Sequence, residues 1–240
     1  MSLAFEELDY APTAMGDLSL RRRRDLATGE DIFEVKLGDA FLMSSKFSTS
    51  EIALAELCLA ACAGDALRVV VGGLGLGYTA RRVLDESRVA ELLVVETMAP
   101  VIQWHEAGLV PLGFGLSADS RCRFVEGDFF VLAASAAGFD PEAGRSRFDA
   151  ILVDIDHTPD FHLDPTHAGF YTPAGLAALA AHLRPGGVFG LWSNEPPDEA
   201  FTRRLGGVFA TAEAAPVTFW NPLQGCEVTQ TVYLATTGGG

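Results

Sequence analysis

Hydrophobic positions change period along the chain, and the changes divide it. Over residues 18–43 apolar and polar side chains alternate through LSLRRRR, the turn signal DLATGED, IFEVKLG and AFLM. A period of two belongs to half-buried strands, so this stretch predicts a small antiparallel sheet. From Ser48 the pattern becomes helical: Ser48, Thr49 or Ser50 can cap a helix that runs through IALAELCLAACA and stops at Gly64. Short apolar runs then alternate with helical segments. The runs LRVVVGG, ELLVVE, CRFVEGD, FDAILVD and GVFGLWS predict strands. Between them YTARRVLDE, residues 98–109, FFVLAASAAG and TPAGLAALAAHL predict helices, the last closed by Arg184-Pro185-Gly186-Gly187. Strands separated by helices of this length imply right-handed crossovers in a parallel sheet. The tail, PVTFW and TVYLAT around Asn221-Pro222 and Gly225, predicts an antiparallel hairpin on its edge. The expected fold is α/β: a doubly wound, mostly parallel seven-stranded sheet with an antiparallel C-terminal hairpin, preceded by a small N-terminal antiparallel β region. The division falls between a small N-terminal β region over 1–47 and the doubly wound α/β domain over 48–240.

Composition adds a bound on partners. The chain has 240 residues, 49% of them hydrophobic, enough to fill a core. Seventeen Lys and Arg against 32 Asp and Glu leave a net charge of -15, which repels phosphate backbones and anionic lipid. Nucleic acid and membrane are therefore not expected partners, and a cationic small substrate suits the chain. No apolar run reaches the roughly 18 residues of a spanning helix, and the first 20 residues carry acids in place of a cationic signal. The expectation is a soluble, cytoplasmic protein. Cys58 and Cys62, at i,i+4 in an apolar run, read as reduced core thiols. Arg21 to Arg24 read as solvated protection of an exposed edge strand, and Trp104-His105 as helix packing. Trp192 to Glu195 read as a connecting loop that could border a pocket. Met1 to Leu3 read as an expression remnant and Gly238 to Gly240 as a flexible tail.

Candidate chemistry begins at Gly72-Gly73-Leu74-Gly75-Leu76-Gly77, between the first core strand and the next helix. Gly72, Gly73, Gly75 and Gly77 permit positive φ and let the backbone approach a nucleotide. Glu96 ends the following strand, where a carboxylate can accept hydrogen bonds from vicinal ribose hydroxyls. Asp128, in Glu126-Gly127-Asp128 at the third strand's end, can accept from an adenine amine or cap the next helix, and Gly127 keeps the turn slim. Asp154 ends the fourth strand, where it can hold and deprotonate an attacking amine. It opens the densest ionisable stretch of the chain, DIDHTPDFHLDPTHAGFY, with Asp156, Asp160, Asp164, His157, His162 and His167. The five-residue spacing of the histidines matches no metal motif, so they read as a polar loop over a ligand and no metal is expected.

Taken in order, VVVGGLGLGYTARRVL, VVET, VEGDFF, FDAILVDIDH, GFYT and HLRPGGV resemble the polyamine aminopropyltransferases typified by spermidine synthase, over most of the chain. The resemblance implies a Rossmann-like sheet that binds S-adenosylmethionine-type nucleotides, with decarboxylated S-adenosylmethionine or S-adenosylmethionine as co-substrate. It implies an amine acceptor such as a polyamine, a homodimer, and roles for Glu96 at ribose, Asp128 at adenine and Asp154 as base. The chain departs from the family pattern at Leu76, where an acid meets the aminopropyl amine, and at Leu54 and Ala55, where a Tyr-His pair precedes the Glu. His157 stands in place of a second acid, for which Asp156 is the nearest substitute. Three alternatives share the pattern: a methyltransferase, for which Leu76 is no defect, a non-catalytic nucleotide-binding relative, and a dinucleotide-dependent oxidoreductase.

Overall fold

A computed structural model describes residues 5–140 and 146–239; Met1 to Leu3 and Gly240 lie outside them. The first sheet has four antiparallel strands in sequential order: β1 (Phe5–Thr13), β2 (Gly16–Arg24), β3 (Asp31–Leu37) and β4 (Ala40–Ser44). β1 is an addition to the expected sheet, because FEELDYAPT lacks the alternation that marks the others. Its presence changes the arginine run, which sits on an interior strand and not on an edge. Arg22 pairs with Glu6 at 2.5 Å, Arg23 with Glu34 at 2.6 Å and Arg24 with Asp31 at 3.0 Å, across strands on either side. The run is a cross-strand ion-pair ladder.

The second sheet has seven strands. Five parallel strands, β5 (Leu67–Gly72), β6 (Val89–Glu96), β7 (Cys122–Glu126), β8 (Phe148–Val153) and β9 (Leu183–Ser193), are extended by the hairpin β10 (Thr211–Asn221) and β11 (Cys226–Thr236). The order is β10-β11-β9-β8-β5-β6-β7, with β11 antiparallel to β9. The chain leaves β5 toward β6 and β7, then returns to β8 on the other side of β5, so a topological switch point opens between β5 and β8. In such sheets that crevice is where ligands bind.

The continuous apolar runs follow from burial on both faces. Val69, Val71, Leu92, Val94, Ala150 and Leu152 belong to one core, and the intervening Val70, Leu93, Val95, Ile151 and Val153 to a second. The first lies under α1 (Thr49–Ala61), α2 (Tyr78–Asp85), α3 (Ala99–Glu106) and the short α4 (Gly113–Ser117); the second lies under α5 (Phe129–Ala134), α6 (Pro173–Ala180) and α7 (Glu199–Gly206). Leu18, Leu20 and Val35 of the N-terminal sheet share the first core with Leu54 and Cys58 of α1. Cys58 and Cys62 are buried free thiols.

Two local expectations are corrected. The segment Arg184-Pro185-Gly186-Gly187 does not close α6, which ends at Ala180, but forms an irregularity within β9: Phe148 pairs with Leu183 and Ala150 with Val188. Gly186 holds a φ of 75° there, and the Thr237 hydroxyl donates to the Arg184 carbonyl at 2.7 Å. The same irregularity ties down the tail, because the Gly186 N–H donates to the Gly238 carbonyl at 3.1 Å. Among the described residues no helix is long and apolar enough to cross a membrane.

Candidate active site

The ends of β5, β6, β7 and β8 are laced together by backbone hydrogen bonds. Gly73 N–H donates to the Val95 carbonyl, Gly127 N–H to the Glu96 carbonyl and Asp154 N–H to the Gly72 carbonyl, each at 2.9 Å. Glu96, Asp128 and Asp154 therefore sit along one edge of the sheet, as the strand endings predicted, and all three line a cavity of about 770 Å³. Gly73, Gly75 and Gly127 line it as well; Gly72 and Gly77 do not. Gly73 has a φ of 90°, and a Cβ there would lie 2.2 Å from the Asp154 carbonyl oxygen, so closeness of backbone to backbone already requires glycine.

Glu96 is nearly inaccessible. Its Oε2 accepts the Leu74 N–H at 3.0 Å and its Oε1 the Met98 N–H at 2.9 Å, which ties the glycine turn to the start of α3. Burial raises its pKa, and these backbone donors oppose the rise. His105 supports the turn from the core side: it is buried, and its Nε2 is 2.9 Å from the Gly75 carbonyl oxygen, which assigns the ring proton to Nε2. Asp128 caps α5, with Oδ1 accepting from the N–H groups of Phe130 at 2.8 Å and Val131 at 3.1 Å. Its second oxygen has no donor among the described residues. The helix cap and a ligand contact are thus compatible in one side chain.

Asp154 is half-buried, and its Oδ2 accepts the Thr79 hydroxyl at 2.7 Å. Burial pushes its pKa up to about 6, against the pull of that hydroxyl. Glu51, in the first turn of α1, lines the same cavity. Burial first, and then the nearby charge of Asp154, pushes the Glu51 carboxyl up to about 8. Glu51 is the functional candidate that sequence reasoning passes over. Ser48-Thr49-Ser50-Glu51 has the spacing of a capping box, yet Ser48 makes no side-chain cap bond and Glu51 lines the cavity instead.

Asp156 lies apart from these groups. It is 1% exposed and does not line the cavity; its carboxylate accepts from His167 Nδ1 at 2.9 Å, the Tyr171 hydroxyl at 2.9 Å and the Leu163 N–H at 2.7 Å. Two residues beyond Asp154, it anchors the loop that covers the cavity. The loop is packed more than solvated: His157 stacks on Phe161 and His162 on Tyr171, with ring centroids 5.2 and 4.8 Å apart. His157 and His167 face the cavity; His162 does not.

The opposite wall comes from segments without a sequence signature of a site: Met43 and Phe41 of β4, Phe47, and Phe219 and Gln230 of the hairpin. Trp192, Asn194 and Glu195 border it too. The wall meets the glycine turn directly, since the Leu76 N–H approaches the Met43 sulfur at 3.1 Å. Leu76 itself is core, 2% exposed.

No family model matches the sequence, and no curated protein does. Solved structures do. A spermidine synthase in complex with the transition state analogue AdoDATO shares 18% identity at a TM-score of 0.74, over 98% of this chain and 74% of that one. A spermidine synthase from Thermotoga maritima shares 20% identity at a TM-score of 0.73, with the same coverage. The chain thus has the fold of these spermidine synthases, a Rossmann-like α/β sheet with an antiparallel C-terminal hairpin.

Proposed function

We propose that this chain is an aminopropyltransferase-like enzyme that uses decarboxylated S-adenosylmethionine as co-substrate and a small amine, of the polyamine class, as acceptor. One observation carries the reading. Six carboxylates line the cavity, Glu51, Glu96, Asp128, Asp154, Asp164 and Glu195, and among the described residues no Lys or Arg does. Such a lining favours a ligand that bears sulfonium and ammonium charges and no carboxylate or phosphate. The donor of an ordinary methyl transfer and a dinucleotide both carry anionic groups that this wall repels. Glu96 fits the ribose hydroxyls and Asp128 the adenine amine, each with lone pairs left after its structural hydrogen bonds.

Asp154 is the base in this reading. The acceptor, held beside its carboxylate, gives up a proton to Asp154; its nitrogen forms a bond to the terminal carbon of the aminopropyl group as the bond from that carbon to sulfur breaks. The electron pair stays on sulfur, and neutral methylthioadenosine leaves. Because a sulfonium is already activated, positioning and proton removal are what the protein supplies. No step calls for a metal. The homodimer and cytoplasmic location implied by the family resemblance belong to the same reading.

The core position of Leu76, where the family pattern has an acid, favours a second reading, methyl transfer on the same sheet. Incubation with each donor and a panel of amines separates the two. Release of methylthioadenosine from the decarboxylated donor, about 100-fold slower or more in Asp154→Asn, supports aminopropyl transfer. Release of S-adenosylhomocysteine from the carboxylated donor establishes methyl transfer, and binding of either donor without turnover leaves a nucleotide-binding protein.

A further inference from the structure

Two half-buried carboxylates meet the same cavity, and among the described residues no cation compensates them. Glu51 and Asp154 reach it from α1 and from the end of β8, and both also border a small void beside Leu76 and Tyr78. Neither forms an ion pair among the described residues. Among the described residues no group donates to Asp154 Oδ1, and the only side-chain donor to Glu51 is Ser50, 2.8 Å from its Oε2. The other titratable groups on the cavity and the void are Glu96, Asp128, Asp164, Glu195, His157 and His167, and the Tyr78 hydroxyl, itself pushed up chiefly by burial.

The hydrogen bonds around Ser50 place a proton. Its hydroxyl oxygen accepts the Trp192 indole N–H at 2.8 Å, and its single hydrogen faces two acceptors, Glu51 Oε2 and, at 2.5 Å, Gln230 Oε1. Gln230 presents Oε1 to Ser50 while its Nε2 donates to Asn194 Oδ1 at 2.6 Å. With the amides in these orientations, every group finds a partner within the protein when Glu51 is protonated and donates to Ser50, and Ser50 donates to Gln230. An ionised Glu51 would draw the Ser50 hydrogen away from Gln230 Oε1, a bond that the protonated form keeps.

We propose that Glu51 and Asp154 form one subsite that exchanges a proton for a primary ammonium: empty, Glu51 holds the proton; occupied, both carboxylates are ionised and grip the ammonium between them. The proposal rests on the amine-using reading above and deepens it. The ammonium belongs either to the aminopropyl arm of the donor or to the acceptor. In either case Glu51, one helix away from the glycine turn, supplies a second carboxylate beside the apolar Leu76.

The test is calorimetric titration near pH 7, in two buffers of different ionisation enthalpy, of the wild type and Glu51→Gln. The ligands are methylthioadenosine, which lacks an ammonium, decarboxylated S-adenosylmethionine, and putrescine or butylamine alone. The expected result is release of about one proton per ammonium ligand by the wild type and none by E51Q, with affinity falling about tenfold or more in the variant. Methylthioadenosine binds both within about threefold and releases no proton, which also reports that E51Q is folded. Loss confined to the decarboxylated donor assigns the ammonium to the donor; loss confined to the amines assigns it to the acceptor. Equal binding of ammonium ligands by the two proteins, no detectable binding of them by the wild type, or no proton release overturns the proposal. If methylthioadenosine fails to bind the wild type, the nucleoside reading falls, and the amine titrations still decide on the subsite. Should E51Q not fold, Glu51→Asp takes its place, with weakened ammonium binding expected because the shorter side chain withdraws one carboxylate.

Discussion

Nδ1 of His167 donates to the Asp156 carboxylate across 2.9 Å, and the two side chains, eleven residues apart, are both buried. With the Tyr171 hydroxyl and the Leu163 N–H on the same carboxylate, the contact closes the segment 157–171 over the cavity. Phe130 of α5 packs on the His167 ring at 4.0 Å, so the loop is also joined to the helix that Asp128 caps. A ligand in the cavity is covered by this loop and floored by the strand ends.

Asp156→Asn replaces an acceptor of three hydrogen bonds with a group that must present an NH2 to one of the donors. Loss of about 2–3 kcal/mol of stability is expected, with faster amide exchange and proteolysis across 157–171. Asp154→Asn, which keeps an oxygen for the Thr79 hydroxyl and gives up a desolvated charge, is expected to melt at or above the wild-type temperature. Thermal melts of the two variants side by side check the contrast; equal losses would remove the distinction drawn here between an anchor and a reacting group.

The carboxylate pair sets a pH dependence of stability. Glu51 and Asp154 have folded pKa values raised to about 8 and about 6, above those they have when unfolded. The folded state therefore binds more protons than the unfolded state between roughly pH 4 and 8, and stability falls as pH rises through that window. Glu51→Gln removes the larger part. The variant should match the wild type near pH 4 and exceed it at pH 8 by an amount on the order of a few kcal/mol, read from urea unfolding at the two pH values.

Close packing of α1 on β9 depends on Gly190. A Cβ there would fall 2.1 Å from the Cys58 Sγ and 3.0 Å from Leu54 Cδ1. Gly190→Ala is expected to cost about 1–3 kcal/mol through overpacking. Cys58→Ala in the same chain makes the room, so the double variant should be more stable than the sum of the single losses predicts. A double-mutant cycle by denaturant unfolding measures the coupling; strict additivity would contradict the contact.

Much of the architecture and part of the site follow from local sequence. Both faces of the main sheet are buried, so its strands read as continuous apolar runs, and Glu96, Asp128 and Asp154 are legible because each stands at the end of its own run. The parallel sheet then brings strand ends together whatever their separation along the chain, and no further information is needed to place the three side by side. The N-terminal strand β1 was not legible, since acids occupy positions that its pairing with the arginines of β2 later neutralises. Nor was the difference between Asp154 and Asp156: two residues apart in one polar loop, they differ only in what surrounds them, a cavity for the first and His167, Tyr171 and the Leu163 N–H for the second. Glu51 is the clearest case. α1 buries Ser50 along with Leu54 and Cys58, so its pattern does not show which polar side chain turns toward a site. Periodicity reports the face on which a side chain stands; the partner that desolvates it and the charge that meets it come from residues a hundred positions away, and only the folded chain sets Glu51 against Asp154.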